Sequence, residues 1–166
     1  MSSILKVDEI QNTGGTTGLT IDSSGRMKLP NQIVFSADNV SSSNGTVTST
    51  YNTNLLFNTI HSNDGNHFNN STGYFTCPVA GNYECYMNVN YVNSNSWVGV
   101  YLLHNNSTVV HSWKKDVVNF EYLSNVVHSI VSCSVNDTLS FAWRNNYVKP
   151  THSQPQYNNM FIKFLG

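Results

Sequence analysis

The residue types that support catalysis are present in this chain, but they lack the spacing that catalysis needs. Nine carboxylates and six histidines are spread over 166 residues. A glycoside hydrolase needs two carboxylates that converge in one cleft, whereas most of these lie in turn-rich segments, where an Asp side chain commonly closes the turn. Neither a nucleophile elbow nor a phosphate-binding or dinucleotide-binding glycine motif occurs. The sequence therefore predicts a protein that is not an enzyme and uses no cofactor.

The histidines show no metal-ligand spacing either. His61, Asp64 and His67 share one predicted loop, so a loop metal site is one interpretation of them. The other interpretation is that they are ordinary solvated loop residues, and this is the one the sequence favours, because exposed polar residues are common in loops without any ion. We therefore predict no metal site from the sequence.

Three cysteines, Cys77, Cys85 and Cys133, cannot all pair within one chain. Cys77 and Cys85 flank a predicted turn, so a hairpin would bring them near each other. No Cys-x-x-Cys occurs, which leaves zinc and redox motifs without support. Free cysteine is among the most buried residue types, and a cytoplasm keeps thiols reduced. We expect three buried, reduced thiols.

Aromatic side chains beside polar loops are the residues most suited to binding a ligand. An exposed aromatic ring can stack on a sugar ring while neighbouring amides bind the sugar hydroxyls. The alternative for Trp97 and Trp113 is a core position at a strand end, and the sequence favours it over ligand contact. Trp143, which alternates with Phe141 in a predicted strand, is assigned to the core. The candidate glycan-binding loops are those near residues 93–96 and 147–156, and Trp113 borders a further polar stretch at residues 114–116. The candidate contacts are Trp97, Trp113, Tyr147, His152 and Tyr157.

The polar surface depends on amides and hydroxyls rather than on charge. Only 10% of the residues are charged, the net charge is −1, and Asn alone occurs 25 times. The eight basic residues form no patch, so binding to nucleic acid is not expected. The apolar stretches are too short for a transmembrane helix, and the start of the chain lacks the pattern of a signal peptide. Synthesis in a cytoplasm is the expectation.

From residue 31 onward, short β-prone stretches recur and are separated by Asn, Gly and Ser. No window keeps the spacing of an amphipathic helix. The pattern favours an all-β sandwich or jelly roll. The predicted strands are Ile33–Ala37, Tyr51–Leu56, Tyr74–Cys77, Gly81–Val92, Trp97–His104, Ser107–Lys114, Phe120–Cys133, Thr138–Asn145 and Asn159–Phe164.

One spaced set of residues in the middle of the chain is more specific than any other feature. It consists of Phe57, Asn63, Phe68, Phe75, Gly81 and Tyr83. These intervals resemble the central signature of the C1q-like domain, a trimeric jelly roll related to the tumour-necrosis-factor fold. Two positions after Tyr83 that are aromatic in the family hold Cys85 and Met87, which are apolar and can still fill a core. The resemblance implies a binding module and no reaction.

The likeness covers about residues 33–166. VGVYLLHNNSTVV and HSIVSCSVNDTLSFAW have the strand–turn–strand layout of the family, and NNMFIKFLG is similar to its closing strand. That strand lies centrally in the sheet facing the trimer axis in this family, which implies a homotrimer. The resemblance leads us to expect Met160 and Ile162 on one face, with Phe161 and Phe164 on the other.

Residues 1–30 differ from the remainder. The segment has two short β-prone runs, Ile4–Ile10 and Gly18–Ile21, and too few apolar residues to bury a core. It resembles N-terminal segments of structural proteins from tailed marine bacteriophages. The resemblance implies an arm that docks on a virion or trimerises through its apolar residues, which are Ile4, Val7, Ile10, Leu19 and Ile21.

The sequence as a whole predicts a virion structural protein with two parts, a docking or trimerisation arm at residues 1–30 and a C1q-like jelly roll at residues 31–166. It would assemble as a homotrimer in the host cytoplasm, contact other virion proteins through the arm and enter no membrane. Adhesion to host-surface polysaccharide, as a fibre or fibre tip, is the favoured role. Decoration of the capsid is the alternative, and a polysaccharide depolymerase ranks last.

Overall fold

The computed structural model describes residues 6–29, 31–40, 53–92, 97–115, 122–144 and 158–166. The chain divides into two compact units, Met1–Ile33 and Val34–Gly166. The described residues form fourteen β-strands and a single 3-10 turn at Asp64–Asn66. The predicted all-β class with almost no helix is confirmed.

The first unit contains a three-stranded antiparallel sheet, whose strands are β1 (Glu9–Gln11), β2 (Thr17–Ile21) and β3 (Met27–Lys28). Two turns of the same kind connect these strands. In each turn one side-chain oxygen accepts hydrogen bonds from two backbone N–H groups. Asn12 Oδ1 accepts from Gly14 and Thr16, and Asp22 Oδ1 accepts from Ser24 and Arg26. Such side-chain closure is what Asn and Asp supply in turns.

No described residue of this first unit is buried. Val7, Leu19 and Ile21 are half-buried, whereas Ile10 is exposed, as are Met27 and Leu29. Ile4 lies outside the described residues. The strands of this unit therefore have turn hydrogen bonds and sheet pairing to stabilise them, but no apolar core among the residues described.

The second unit is a sandwich of two antiparallel sheets. The six-stranded sheet has the order β11-β10-β13-β8-β7, and β5 pairs with β13 beside this path. Its strands are β5 (Thr53–Asn54), β7 (Phe68–Asn69), β8 (Tyr74–Thr76), β10 (Trp97–His104), β11 (Ser107–Lys115) and β13 (Thr138–Arg144). The five-stranded sheet has the order β12-β9-β14-β4-β6. Its strands are β4 (Val34–Val40), β6 (Phe57–Asn63), β9 (Gly81–Val92), β12 (Tyr122–Cys133) and β14 (Asn159–Phe164).

Most strand predictions agree with the structure. The predicted bounds of β9, β10 and β14 are those observed, and those of β8, β11, β12 and β13 differ by at most two residues. The structure adds three strands that the sequence did not predict, which are β3, β6 and β7. Within the predicted strand Tyr51–Leu56 only Thr53–Asn54 pairs, and residues 51 and 52 lie outside the described part.

The core lies between the two sheets. There the inward-facing side chains of the five-stranded sheet pack against aromatic residues of the six-stranded sheet. Met87 pairs with Met160 and Cys85 pairs with Ile162 in neighbouring positions of β9 and β14, and all four side chains are buried. Across the sandwich Phe35 of β4 stacks on Phe68 of β7, with ring centroids 4.0 Å apart. These contacts remove apolar surface from water and hold the sheets face to face.

The closing strand β14 lies in the centre of the five-stranded sheet, between β9 and β4, as the family resemblance implies. The expected grouping of its phenylalanines is wrong. Phe161 points away from the core, but Phe164 lies on the side of Met160 and Ile162 and contacts Tyr83, with ring centroids 5.2 Å apart. Side chains alternate with a period of two along a strand, so residues 161 and 164 must lie on opposite faces.

Gly81 marks the start of β9 at a point of close backbone approach. Its φ is 148°, and a Cβ atom there would lie 2.7 Å from Phe164 Cε2 and 2.8 Å from the Gly166 carbonyl oxygen. The Gly166 carbonyl is fixed in place because it accepts a hydrogen bond of 2.8 Å from Asn82 N–H. Only glycine fits both the dihedral angle and the space.

We expect Gly81→Ala to destabilise the second unit by about 2–4 kcal/mol, since the new methyl group adds overpacking to an unfavourable φ. Urea-induced unfolding measures the change. Gly166→Ala is the matched control, because Gly166 also has a positive φ of 127° but has open space around its Cβ position. Equal effects of the two substitutions would show that the close approach to Phe164 does not matter.

Candidate functional site: the outer face of the five-stranded sheet

The five-stranded sheet presents a second face, opposite the core, that is built from three cross-strand rows. Every strand from β12 to β4 contributes one residue to each row, and none of these residues is buried. We call this set the outer face. Its rows are Val126–Asn88–Asn159–Asp38, His128–Tyr86–Phe161–Ser36 and Ile130–Glu84–Lys163–Val34.

The middle row is aromatic. The rings of Tyr86 and Phe161 stack with centroids 5.3 Å apart and planes 14° from parallel, and His128 meets Tyr86 edge-on at 5.9 Å. Direct cross-strand pairing places these three side chains side by side, which is the geometry in which such pairs stabilise a sheet. The row makes a flat, rigid, partly apolar surface in the middle of the outer face.

Apolar side chains on β12 extend this surface toward the sheet edge. Ile130 is 60% exposed and Val126 is 43% exposed. Each is two residues from His128, so both side chains lie on the same side of β12 as His128. β12 is the last strand of the sheet on that side. A strand that ends a sheet with exposed branched apolar residues favours contact with another chain.

Polar groups on the outer face are paired with one another. His128 Nε2 lies 2.9 Å from Glu84 Oε1, and Lys163 occupies the position directly across from Glu84 on β14. Toward the far edge, His61 Nε2 lies 2.7 Å from Asp38 Oδ2. Paired polar groups can be buried at lower cost than isolated ones. The outer face thus combines an apolar centre with a polar rim that includes two hydrogen-bonded pairs and one buried oxygen, Asp38 Oδ1, without a hydrogen-bond partner. An apolar centre with a polar rim is the composition of a protein–protein interface.

The signature residues lie in the core instead of on the outer face. Phe57, Phe68 and Phe75 are buried, and Tyr83 is fully buried with its hydroxyl donating to the Val79 carbonyl at 2.7 Å. Desolvation by burial raises the pKa of Tyr83. Each of these residues fixes the packing of the sandwich, while Gly81 allows the backbone approach described above.

Asn63, the polar member of the signature, joins two ends of a loop. Its Oδ1 accepts from Phe68 N–H, and its Nδ2 donates to the Phe68 carbonyl, both at 2.9 Å. Asn70 clamps the backbone of Phe57 in the same way, at 2.8 and 2.6 Å. Amide side chains therefore take the place of a strand neighbour for these backbone groups.

The two departures from the family pattern keep an apolar core. Cys85 and Met87 are both fully buried. Cys77 and Cys133 are buried as well, and none of the three cysteines forms a disulfide, in agreement with the predicted thiols. The Cys77 thiol has both Cys133 and Cys85 near it, in agreement with the expected proximity of Cys77 and Cys85.

The residues of the predicted histidine loop do not form one ligand set. His61 lies in β6 and bonds to Asp38 of the neighbouring strand, Asp64 begins the 3-10 turn, and the ring of His67 covers Gly65. The only group of three metal-binding side chains among the described residues lies elsewhere, at His104, Cys133 and Asp137.

The predicted glycan contacts fall mainly in parts that the structure does not describe. Tyr147, His152 and Tyr157 lie outside the described residues. Trp97 and Trp113 have described backbones, which occupy diagonal positions at one end of the β10–β11 pair, since Trp97 pairs with Lys115 and Gly99 pairs with Trp113. Their assignment as ligand contacts stays a prediction.

Comparison with known proteins identifies the class. The model of the C1q domain family matches residues 34–160. Since this is more than half of the chain, the protein belongs to the C1q domain family. No catalytic family is indicated, no curated protein matches by sequence at a significant level, and no helix among the described residues is long and apolar enough to cross a membrane.

Solved structures with the same fold come from complement and from the tumour-necrosis-factor group. The globular domain of zebrafish complement 1qA has a TM-score of 0.60 at 17% identity, covering 80% of this chain and 96% of that one. Eiger TNF from S. frugiperda has a TM-score of 0.62 at 12% identity, covering 81% and 93%. Murine APRIL has a TM-score of 0.60 at 12% identity, covering 81% and 100%. At these identities the likeness shows the fold alone.

The sequence analysis missed the residues of the outer face other than Phe161. It predicted β9 and β12 correctly, but it did not assign faces to Tyr86, His128 or Ile130. A signal was present: with Tyr83, Cys85 and Met87 assigned to the core, strand alternation places Glu84, Tyr86 and Asn88 on the opposite side. The pairing of these residues across strands depends on register, which the local sequence does not contain.

We expect Asn63→Ala to lower the free energy of unfolding by about 1–3 kcal/mol, because the Phe68 amide and carbonyl both lose a partly buried partner. Chemical denaturation measures the change. Asn82→Ala is the control, since the Asn82 side chain is exposed on the same unit, and its effect should stay within about 0.5 kcal/mol. A neutral Asn63→Ala would contradict the role of the amide as a backbone clamp.

Proposed function

We propose that this protein is a non-enzymatic, homotrimeric binding module that serves as a structural protein of a bacteriophage particle. The observation that carries the proposal is the outer face, where a stacked aromatic pair and exposed branched side chains occupy the middle and the edge of a flat sheet. Members of the C1q and tumour-necrosis-factor families form homotrimers. The outer face belongs to the sheet with the central closing strand, which is the sheet that the family resemblance directs toward the trimer axis.

A threefold ring suits the two apolar patches of this face. Closed rings are built from heterologous contacts, in which one patch of each subunit meets a different patch of the next. The β12 edge, with Val126 and Ile130, supplies one patch, and the Tyr86–Phe161 stack supplies another. Burying both removes apolar area from water, while the Glu84–His128 pair remains hydrogen-bonded inside the assembly.

The virion role is supported by the N-terminal unit and by the surface composition. The likeness of residues 1–30 to phage structural proteins suggests where the trimer is attached. In that unit Ile10, Met27 and Leu29 are exposed and no described residue is buried, so the unit gains stability by docking on another protein or on its own copies. A surface rich in amides and poor in charge suits an exposed particle protein whose contacts do not depend on salt.

Adhesion to host-surface glycan, as a small fibre or fibre tip, is the role that the loop composition favours. Weak binding by each subunit is multiplied by the trimer and by many copies on a particle. Decoration of the capsid, with the trimer stabilising the shell, is the second candidate, because the apolar residues of the first unit would also suit a buried base.

Ile130→Asp should convert the trimer into a folded monomer, because the substitution places a carboxylate without a partner in the buried edge contact. Light scattering coupled to size-exclusion chromatography gives the mass, and circular dichroism confirms the β fold. Val109→Asp is the matched control: Val109 is 43% exposed but lies on β11 of the other sheet, so that variant should remain trimeric. A stable monomer mass for the unmodified protein would overturn the trimer.

Gold-labelled antibody against this protein should mark intact phage particles from the source lysate in electron micrographs. Label on the tail or on projecting fibres supports adhesion, and label spread over the head supports decoration. Clean particles without label would overturn the virion role while leaving the trimer untouched.

For the adhesive role, simultaneous Trp97→Ala and Tyr147→Ala substitutions should reduce binding to host cells, because each removes an aromatic surface on which a sugar ring can stack. Cell binding is compared with that of the unmodified trimer at equal concentration, after light scattering has shown that the double variant is still trimeric. Undiminished binding would contradict the assignment of these two residues.

A further inference from the structure

One cluster of side chains in the second unit lies apart from the outer face and has no part in the proposed trimer. It forms where His104 ends β10, Cys133 ends β12 and Asp137 precedes β13. One imidazole nitrogen, the Cys133 Sγ and a carboxylate oxygen of Asp137 all lie within 4.8 Å of one another. The ends of two strands from different sheets and the turn before β13 thus bring nitrogen, sulfur and oxygen donors close together.

The carboxylate is held in place by three donors. Ser134 N–H donates to Asp137 Oδ2 at 2.7 Å, His104 Nε2 lies 2.8 Å from the same oxygen, and Asn105 Nδ2 donates to Oδ1 at 2.8 Å. These hydrogen bonds, that of Asn105 above all, lower the pKa of Asp137 to about 2. Asp137 is therefore an oriented carboxylate that is ionised at neutral pH.

A second thiol adjoins the cluster. The buried Cys77 side chain lies near that of Cys133, but its sulfur is outside the three-residue ligand group. The backbone of Cys77 is tied to the same turn, because Cys77 N–H donates to the Asp137 carbonyl and Asn136 N–H donates to the Cys77 carbonyl, each at 2.8 Å. Two sulfur atoms, one imidazole and one carboxylate thus occupy one end of the sandwich.

From this arrangement we propose that His104, Cys133 and Asp137 form a zinc site in which a water molecule takes the fourth position. Zinc prefers tetrahedral sets of thiolate, imidazole and carboxylate donors. Calcium and magnesium require mainly oxygen donors, so the Cys133 thiol and the His104 imidazole select against them. On binding, the Cys133 thiol releases one proton to solvent. The His104 ring proton, which Nε2 donates to Asp137 Oδ2 in the absence of metal, moves to Nδ1 so that Nε2 takes the metal.

The surroundings provide both access and support for the ion. The side chains of His104 and Asp137 are 27% and 21% exposed, which leaves a route from solvent, while the thiols form the buried side. The Asn105 side chain and the Ser134 N–H donate hydrogen bonds to the Asp137 carboxylate and so orient it, as residues bonded to metal ligands do.

The test uses the full chain, reduced and stripped of metal with a chelator, to which Zn²⁺ or Co²⁺ is added. We expect one ion per chain, with thiolate-to-cobalt charge transfer and the visible bands of tetrahedral Co²⁺. Cys133→Ser and His104→Gln should each lose these bands. Cys85→Ser is the matched control, because Cys85 is a buried cysteine in β9 that does not belong to the ligand group. This variant should keep the cobalt bands.

Affinity and competition complete the test. Asn105→Ala should weaken Zn²⁺ binding about 10- to 100-fold, since it removes a partner that orients the ligand carboxylate, and excess Ca²⁺ should not displace the ion. Absence of binding by the unmodified protein would overturn the site, and so would equal binding by Cys133→Ser. A Cys77–Cys133 disulfide that forms in place of metal uptake, with no binding after reduction, would also overturn it. None of these readouts depends on the oligomeric state.

Discussion

The position of β14 is the constraint on which the rest of the second unit depends. This strand pairs with β9 on one side and β4 on the other, so the five-stranded sheet exists only once the last residues of the unit have returned to its first strand. Such pairing between distant parts of the chain is slow to form, because loop-closure entropy must be overcome before the contacts stabilise the fold. The inward Met160 and Ile162 then complete the core, and the outward Phe161 completes the outer face. One strand therefore links folding to the surface proposed for assembly.

In this protein, Asn side chains make many of the hydrogen bonds that hold turns and loop ends in place. Asn12 closes a turn, Asn63 and Asn70 replace strand partners, and Asn105 fixes both Asp137 and the Thr138 N–H. An amide can donate and accept at once, so one side chain satisfies two backbone groups. This use explains how a chain with only 10% charged residues satisfies the polar backbone of so many short connections.

The fold could be predicted from the sequence wherever alternation, turn residues and the family signature agree, as they do for β9, β10 and β14. The strand prediction failed at β6 and β7, a region that contains Asn63, Asn69 and Asn70. The hydrogen bonds of these side chains form across the loop, so the local sequence has no strand periodicity. The outer face could be predicted only in part. Alternation along β9 gives the side of the sheet on which Tyr86 lies, but only the register of β9 against β12 and β14 places Tyr86 beside His128 and Phe161. The cluster of His104, Cys133 and Asp137 could not be predicted, because His104 is distant along the chain from the other two and meets them only through the pairing of β10 with β13.

The two proposed binding regions differ in how they depend on the sandwich. The outer face needs only one sheet, since its rows are cross-strand neighbours whose geometry follows from pairing. The zinc cluster needs both sheets, because Cys133 ends a strand of the five-stranded sheet while His104 and Asp137 belong to strands and turns of the six-stranded one. An ion held there would join the two layers at the end of β12, the strand whose exposed edge carries Val126 and Ile130. Fixing the end of an edge strand reduces its freedom to fray, so metal binding would stabilise the second unit without contributing any contact to the trimer.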